Sequence, residues 1–506
     1  MNYFSKLLVT ALALLSPAFA WAEFPVDYTA EMIANAGGGD FAPYYINANR
    51  HGIITQKNGI LLHAGVDHKL DVTKRFSYDF GLDIYGGATN STCYNKWNAT
   101  AGSWYSQNEH PANFWLQQAY ASVKYRGVIL TAGMKQRGSY MLDNALSSGD
   151  MIESGNARPI PQVRLGFVDF QNIPFTNRWL QIQGEVGYGF YCQNSWLNNH
   201  FDYYNGVKTV DMLYNYKRLY LRTNPEKPFS ATFGAQAVCQ FGGTSYIYSS
   251  GELSDVFRHS SSVKSFWQAF LPRSSSAEGF YEGQHIGSWD IKLRYRLRNR
   301  AEISAYVQAL WEDGSAMGKM NGWDGLWGIE YKAPASGWID GAVIEYLQTT
   351  NQSGPLHWDP ADSPGTTLGS QATGSDNYYN NNFYGGYANL GMAQGNPMLK
   401  SPLFYSSVDM FFLDNRVKAL HVGIDGTPLD VLKYRVLAGY RTSWGSYLYP
   451  RTEKAHNFSF MVEATYTPRK LSALHVKGQF GLDHGKLLGN NVGACVTVTY
   501  NGLLNF

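Results

Sequence analysis

Along the last fifteen residues every second position is apolar or small: Val492, Ala494, Val496, Val498, Tyr500, Gly502, Leu504 and Phe506. The residues between them, Gly493, Cys495, Thr497, Thr499, Asn501, Leu503 and Asn505, are mostly small or polar. A period of two with one apolar and one wet face predicts a strand between lipid and an aqueous lumen. The alternation recurs upstream. Phe76, Tyr78, Phe80, Leu82 and Ile84 oppose Ser77, Asp79, Gly81 and Asp83; Trp289, Ile291, Leu293, Tyr295 and Leu297 oppose Asp290, Lys292, Arg294 and Arg296. Ile303, Ala305, Val307, Ala309 and Trp311 form another such face, as do Phe458 to Tyr466 and Leu474 to Leu482. Charged residues at alternate positions suit a wet lumen, because a sandwich core would leave them unpaired in an apolar medium.

Connections between these runs alternate in length. The short ones are Thr73 to Arg75, Arg126-Gly127, Phe170 to Asn177, Arg222 to Pro228, Arg298 to Arg300, Ala333 to Gly337, Thr427 to Val431 and Pro468 to Leu471. The long ones are Gly86 to Asn113, Arg137 to Gln162, Cys192 to Tyr216, Gln240 to His285 and Thr349 to Leu413. Bacterial barrels have short periplasmic turns, long outer loops and an even strand number, so about 17 readable strands imply about 18. The missing strand is expected within Tyr45 to Gln56. The fold class is therefore all-β, a transmembrane outer-membrane barrel of antiparallel strands.

A barrel of that size is too wide for its own strand side chains to fill, so its function depends on what occupies the lumen. Ser260-Ser261-Ser262 followed by Val263, Phe266, Trp267, Phe270 and Leu271, with Pro272 behind, predicts an amphipathic helix in a long outer loop. It could enter the lumen as a helical plug or pack on its own loop.

The chain ends add to this picture. Lys6, the apolar run Leu7 to Leu15, Pro17 and the small-residue patterns ending at Ala20 and Ala22 predict a signal peptide over 1–22. Residues 23–44 are then expected as a periplasmic segment and 45–506 as one barrel domain. The terminal Phe506 resembles the signal read by the barrel assembly machinery. With 36 Tyr, 27 Phe, 14 Trp and 52 Gly, the chain is aromatic and glycine-rich without long apolar runs, which suits a barrel with aromatic girdles. A net charge of +2 argues against a nucleic-acid partner. Cys93, Cys192, Cys239 and Cys495 are scattered without metal-ligand spacing, leaving one or two disulfides open. No metal or other cofactor is expected, and the chain is expected to act as a monomer in outer-membrane lipid with its loops at the cell surface.

Candidate chemistry lies in two loops. Pro159 and Pro161 hold their neighbours extended, so Asn156, Arg158, Gln162 and Arg164 are presented at the mouth of a strand, with Arg137 close by in sequence. Arginine forks and amides suit sugar hydroxyls and carboxylates, or equally brace a loop against the wall. The loop after Gln348 carries Trp358, Asn377, Tyr378, Tyr379, Asn380 to Asn382, Tyr384 and Tyr387, and interleaved aromatics and amides are suited to a pyranose. Lys292, Arg294 and Arg296 could favour an acidic polymer or pair with Asp290 and Glu302. His475, Asp483 and His484 sit near a strand end without a nucleophile to serve, so no enzyme is expected.

The runs Met134 to Arg137, Leu146 to Gly149 and SGNARPIPQVR at 154–164 resemble the Wzi-like capsule assembly family of outer-membrane proteins. So do Tyr45 to Gly52, Tyr214 to Arg222, Ala237 to Gly243, Gln352 to Pro355, Asn377 to Tyr387 and Asn415 to Val417; Gln136 departs, an acidic residue being expected there. The resemblance implies a barrel that binds capsular or other surface polysaccharide, retains it at the cell and is not an enzyme. Without it, the alternative is an open diffusion porin.

Overall fold

The computed structural model describes residues 25–271, 283–312, 314–353, 357–358, 371–372, 376–405 and 410–505. The expected signal peptide and Phe506 lie outside them. The wall runs β1 (Pro25–Gly38), β2 (Gly59–His68), β3 (Phe76–Thr89), β4 (Phe114–Tyr125), β5 (Val128–Met134) and β6 (Gln162–Phe167). It continues with β7 (Leu180–Phe190), β8 (Leu213–Thr223), β9 (Phe229–Phe241), β10 (Gln284–Arg296), β11 (Glu302–Trp311) and β12 (Gly325–Lys332). The circuit is completed by β13 (Gly341–Gln348), β14 (Val417–Leu429), β15 (Leu432–Gly445), β16 (Pro450–Tyr466), β17 (Leu474–Gly485) and β18 (Asn491–Asn505). The sheet has 19 segments, but Gln171–Asn172 continues β6 against the same neighbour, β7, so the barrel has 18 strands. Each pairs antiparallel with the next, and β1 closes on β18 from Pro25↔Asn505 to Gly38↔Val492.

That closing strand corrects the expectation that placed it within Tyr45 to Gln56 and left 23–44 outside the barrel. The signal in β1 is weak because Ala30, Ala34 and Ala36 stand where large lipid-facing side chains would mark a strand, while Ile33 is buried on the lumen side. Tyr44–Asn47 instead forms a single helical turn, α1, with all four residues buried.

All eight predicted short turns fall at one end of the barrel and all five predicted long loops at the other. The predicted faces hold as well: Phe233, Leu219 and Val496 are about half exposed on the outer surface, whereas Asp79, Asp290 and Glu345 are buried inside. The basic ladder in the lumen is paired. Lys292 meets Glu330 at 2.8 Å, and Arg294 and Arg296 meet Glu302 at 3.0 and 2.8 Å. Asp290 accepts from the Tyr220 hydroxyl at 2.5 Å and does not join this ladder. The register has a direct test: Val496→Lys puts a charge toward lipid at about 2–4 kcal/mol, whereas Thr499→Lys lands beside Glu31 in the lumen and should be mild. Gel-shift melting of the folded band measures both, and equal damage would contradict the register.

Three long loops fill the lumen. In 39–58, Tyr44 N–H donates to Asp483 on β17 at 2.9 Å, the Tyr45 hydroxyl meets His421 on β14 at 2.7 Å and Arg50 pairs with Glu463 on β16 at 3.5 Å. The 135–161 loop reaches further round the wall. Asp150 accepts from Gln236 on β9 and Gln308 on β11, both at 2.8 Å, and Glu345 on β13 takes Ser147 Oγ and Ser148 N–H at 2.7 Å each. From 376–405, Tyr387 meets Tyr214 on β8 at 3.2 Å. The loops also bind one another, His51 N–H donating to Gly155 at 2.7 Å and Asn156 Nδ2 to Ala393 at 2.9 Å. Contacts on opposite parts of the wall require that these loops cross the lumen.

A second short helix, α2, spans Asn194–His200, and the predicted helix forms as α3, Val263–Phe270, with the Ser262 side chain accepting from Ser265 N–H. It is not the plug. Its neighbours Tyr188, Lys217, Cys239 and Phe241 all belong to the outward-facing register, so α3 lies on the outside of the wall. No disulfide joins the four cysteines.

Candidate functional site

A cavity of about 390 Å³ opens among the long loops. One side is the hairpin Thr92–Asn98 and Ser103–Glu109, which supplies Tyr94 and Glu109. Another is α2, bearing Trp196, Asn199 and His200. The floor comes from Arg158, Asn389, Leu390 and Leu403.

Local chemistry explains why these elements meet. Lys96 on the hairpin donates to the carbonyls of Asn198 and Asn199 at 3.1 and 2.6 Å, placing a cation where the helix end leaves acceptors unpaired. At the other end Gln193 Oε1 accepts from Leu390 N–H at 2.9 Å, tying α2 to the floor. Gly391 has φ +75°, and a Cβ there would come within 2.7 Å of the Trp196 ring. Only glycine allows both that turn and the indole's approach. Trp196 stacks on His200 with centroids 4.2 Å apart and planes 13° off parallel, and Tyr94 meets His200 edge-on at 5.3 Å. Burial pushes the His200 pKa down, so the stacked ring is neutral near pH 7.

Arg158 sets the charge of the floor. Its guanidinium lies over the Trp115 ring at 4.3 Å, and its carbonyl accepts from Asn389 Nδ2 at 3.0 Å. Burial lowers its pKa to about 10, which leaves it cationic at neutral pH. Glu109 at the edge balances that charge, so the cavity offers an aromatic platform, amides, one cation and one carboxylate.

The sequence-predicted residues divide. Arg137, Arg158 and Gln162 line a second, smaller cavity of about 40 Å³ with Lys135, His51 and Glu153, and Arg158 belongs to both. Arg164 is enclosed inside the fold. It is 1% exposed, ion-paired with Glu153 and Glu185, and its guanidinium lies 4.0 Å over Tyr216. Gln162 Oε1 accepts from Arg164 Nε at 2.9 Å. Asn156 is fully buried, bridging Asn49 and Ala393. Tyr378 is equally buried, its hydroxyl accepting from Asn321 at 2.8 Å, and Asn377 accepts from Asn380 and Asn415 at 3.0 and 2.6 Å. Arg164, Asn156 and Tyr378 are thus enclosed within the plug, and half-buried Asn377 is tied to it through its Oδ1. Trp358 pairs through its backbone with Gln371, and its side chain lies outside the described residues.

Two sequence expectations need correction here. His475 and Asp483 do not sit together: eight residues along β17 place them roughly 27 Å apart. His475 meets Thr467 at 2.8 Å, while Asp483 takes Tyr44 N–H at the far end. The second is an omission. Tyr94, Glu109, Trp196, Asn199 and His200 were not singled out, although 194–200 (NSWLNNH) has the same interleaving of amides and aromatics that drew attention to 376–387.

Fold and site together define a transmembrane barrel of the outer-membrane type with loops folded into its lumen. Among solved structures it is similar to Wzi, an outer-membrane protein involved in group 1 capsule assembly in Escherichia coli and described as a carbohydrate-binding β-barrel. Identity is 11%, with 99% of this chain and 89% of that one covered at a TM-score of 0.54. It also aligns with OccAB2 of Acinetobacter baumannii (8% identity, 95% and 98% coverage, TM-score 0.47) and outer-membrane protein OpdK of Pseudomonas aeruginosa (11%, 95% and 98%, 0.45). No family model matches the chain, and no curated protein matches it in sequence.

Proposed function

We propose that this barrel sits in the outer membrane, binds capsular or other surface polysaccharide with its long loops, and helps hold that polymer at the cell. The observation that carries the reading is the lumen-crossing loops: 39–58, 135–161 and 376–405 are hydrogen-bonded to strands on opposite parts of the wall and to one another. A barrel so filled is built to present a surface, in contrast to a diffusion pore. The surface it presents includes the Trp196 and Arg158 cavity, where a pyranose would lay its C–H face on the indole and its hydroxyls on Asn199 and Asn389. The carbohydrate-binding description of Wzi, which shares the fold, agrees with this.

Planar-bilayer recording and a glycan array on purified protein test it. The expected results are near-silence in the bilayer and retention of a defined set of surface glycans. Steady conductance, as in an open barrel of 18 strands, together with no glycan retained, would replace this reading with a diffusion porin.

A further inference from the structure

α3 points the wrong way for a helix in water. Its face toward the barrel carries Ser265, Gln268 and Ala269, all buried, with Phe266 beside them, whereas Val263 is 89% exposed, Trp267 55% and Leu271 39%. A water-soluble amphipathic helix buries its apolar stripe and hydrates its polar one. The reversed arrangement is satisfied where the outside medium is itself apolar.

The position of α3 on the wall identifies that medium. The Ala269 carbonyl accepts from Lys217 Nζ at 2.7 Å, and Lys217 is an outward-facing residue of β8 in register with Ala237. Two residues further along that face, roughly 7 Å, stands Leu219, half exposed in the band that faces lipid. The C-terminal turn of α3 therefore reaches the edge of the lipid-facing band. Round the wall from it, Trp323 and Trp327 pair at 5.2 Å at the start of β12, with Trp323 68% exposed. Exposed indoles at this height are the aromatic girdle that marks a membrane boundary.

We propose that α3 is an interfacial helix whose Val263, Trp267 and Leu271 insert into the headgroup and acyl boundary of the surrounding bilayer, extending the membrane contact beyond the strands. Its polar face and the Ala269 carbonyl cover Lys217, adding a second acceptor to the Asn215 Oδ1 that Lys217 Nζ already meets at 2.9 Å. The occupant is a lipid surface, and the contact is independent of any glycan.

Spin-label accessibility in lipid nanodiscs tests this on the full chain. A nitroxide amino acid is placed at Val263, with Phe233 on the lipid-facing wall and Glu252 in an exposed loop strand as references. Val263 is so exposed that the label disturbs no packing. Collision with oxygen over a water-soluble nickel chelate, closer to the Phe233 ratio, is the expected result; a ratio closer to that of Glu252 overturns the proposal. The native ring gives a second reading: brominated lipid should quench the parent by a larger share than Trp267→Phe, and equal quenching overturns the assignment for Trp267.

Discussion

Arg164→Ala is expected to destabilise the folded barrel by about 3–5 kcal/mol, the usual cost of removing one partner from a buried ion pair. The guanidinium is almost completely enclosed between Glu153 of the 135–161 loop and Glu185 of β7, over the Tyr216 ring. Alanine leaves both carboxylates without that cation and opens a gap where the loop meets the wall. Arg218, 3.0 Å from Glu185, compensates only that one carboxylate. Heat-modifiable gel shift and urea midpoints measure the loss. Glycan affinity per folded molecule should be unchanged, because the residue does not reach the loop surface. Unchanged stability with reduced glycan binding would make Arg164 a ligand contact after all.

Arg158→Ala should show the opposite pairing, weakening an acidic glycan by about 1.5–3 kcal/mol, roughly 10- to 150-fold, with little change in melting. Among the described residues its guanidinium is held by the face of Trp115 and by no carboxylate, so none of them is orphaned when it leaves. Trp196→Ala is the comparison. Losing a stacking platform should cost about 0.5–1.5 kcal/mol for neutral and acidic glycans alike, because every pyranose has an apolar face. Titration of each variant with one neutral and one acidic oligosaccharide separates the two effects. If both variants bind both sugars like the parent, the cavity is not the glycan site, although the barrel stands.

What the sequence determined by itself is the wall. Lipid demands an apolar side chain at every second residue and tight polar turns at one end, so strands such as Phe76 to Ile84 and Trp289 to Leu297 declare both their existence and their faces locally. β1 escaped because alanine and glycine satisfy lipid without signalling it; strand parity required one more strand, but only the pairing with β18 located it. The helix at 263–270 was legible from its period and its serine cap, but a period of 3.6 names a stripe and not the medium the stripe faces. Its side of the wall was decided by Tyr188, Lys217 and Phe241, distant in sequence. The same holds for the arginines of one short segment. Arg158 and Arg164 look equivalent six residues apart, yet one is spent on Glu153 and Glu185 inside the plug while the other remains at a cavity wall. Charge and amide chemistry can be read from residue types, but whether a side chain is free to meet a ligand depends on non-local partners, and those exist only once the loops have folded into the barrel.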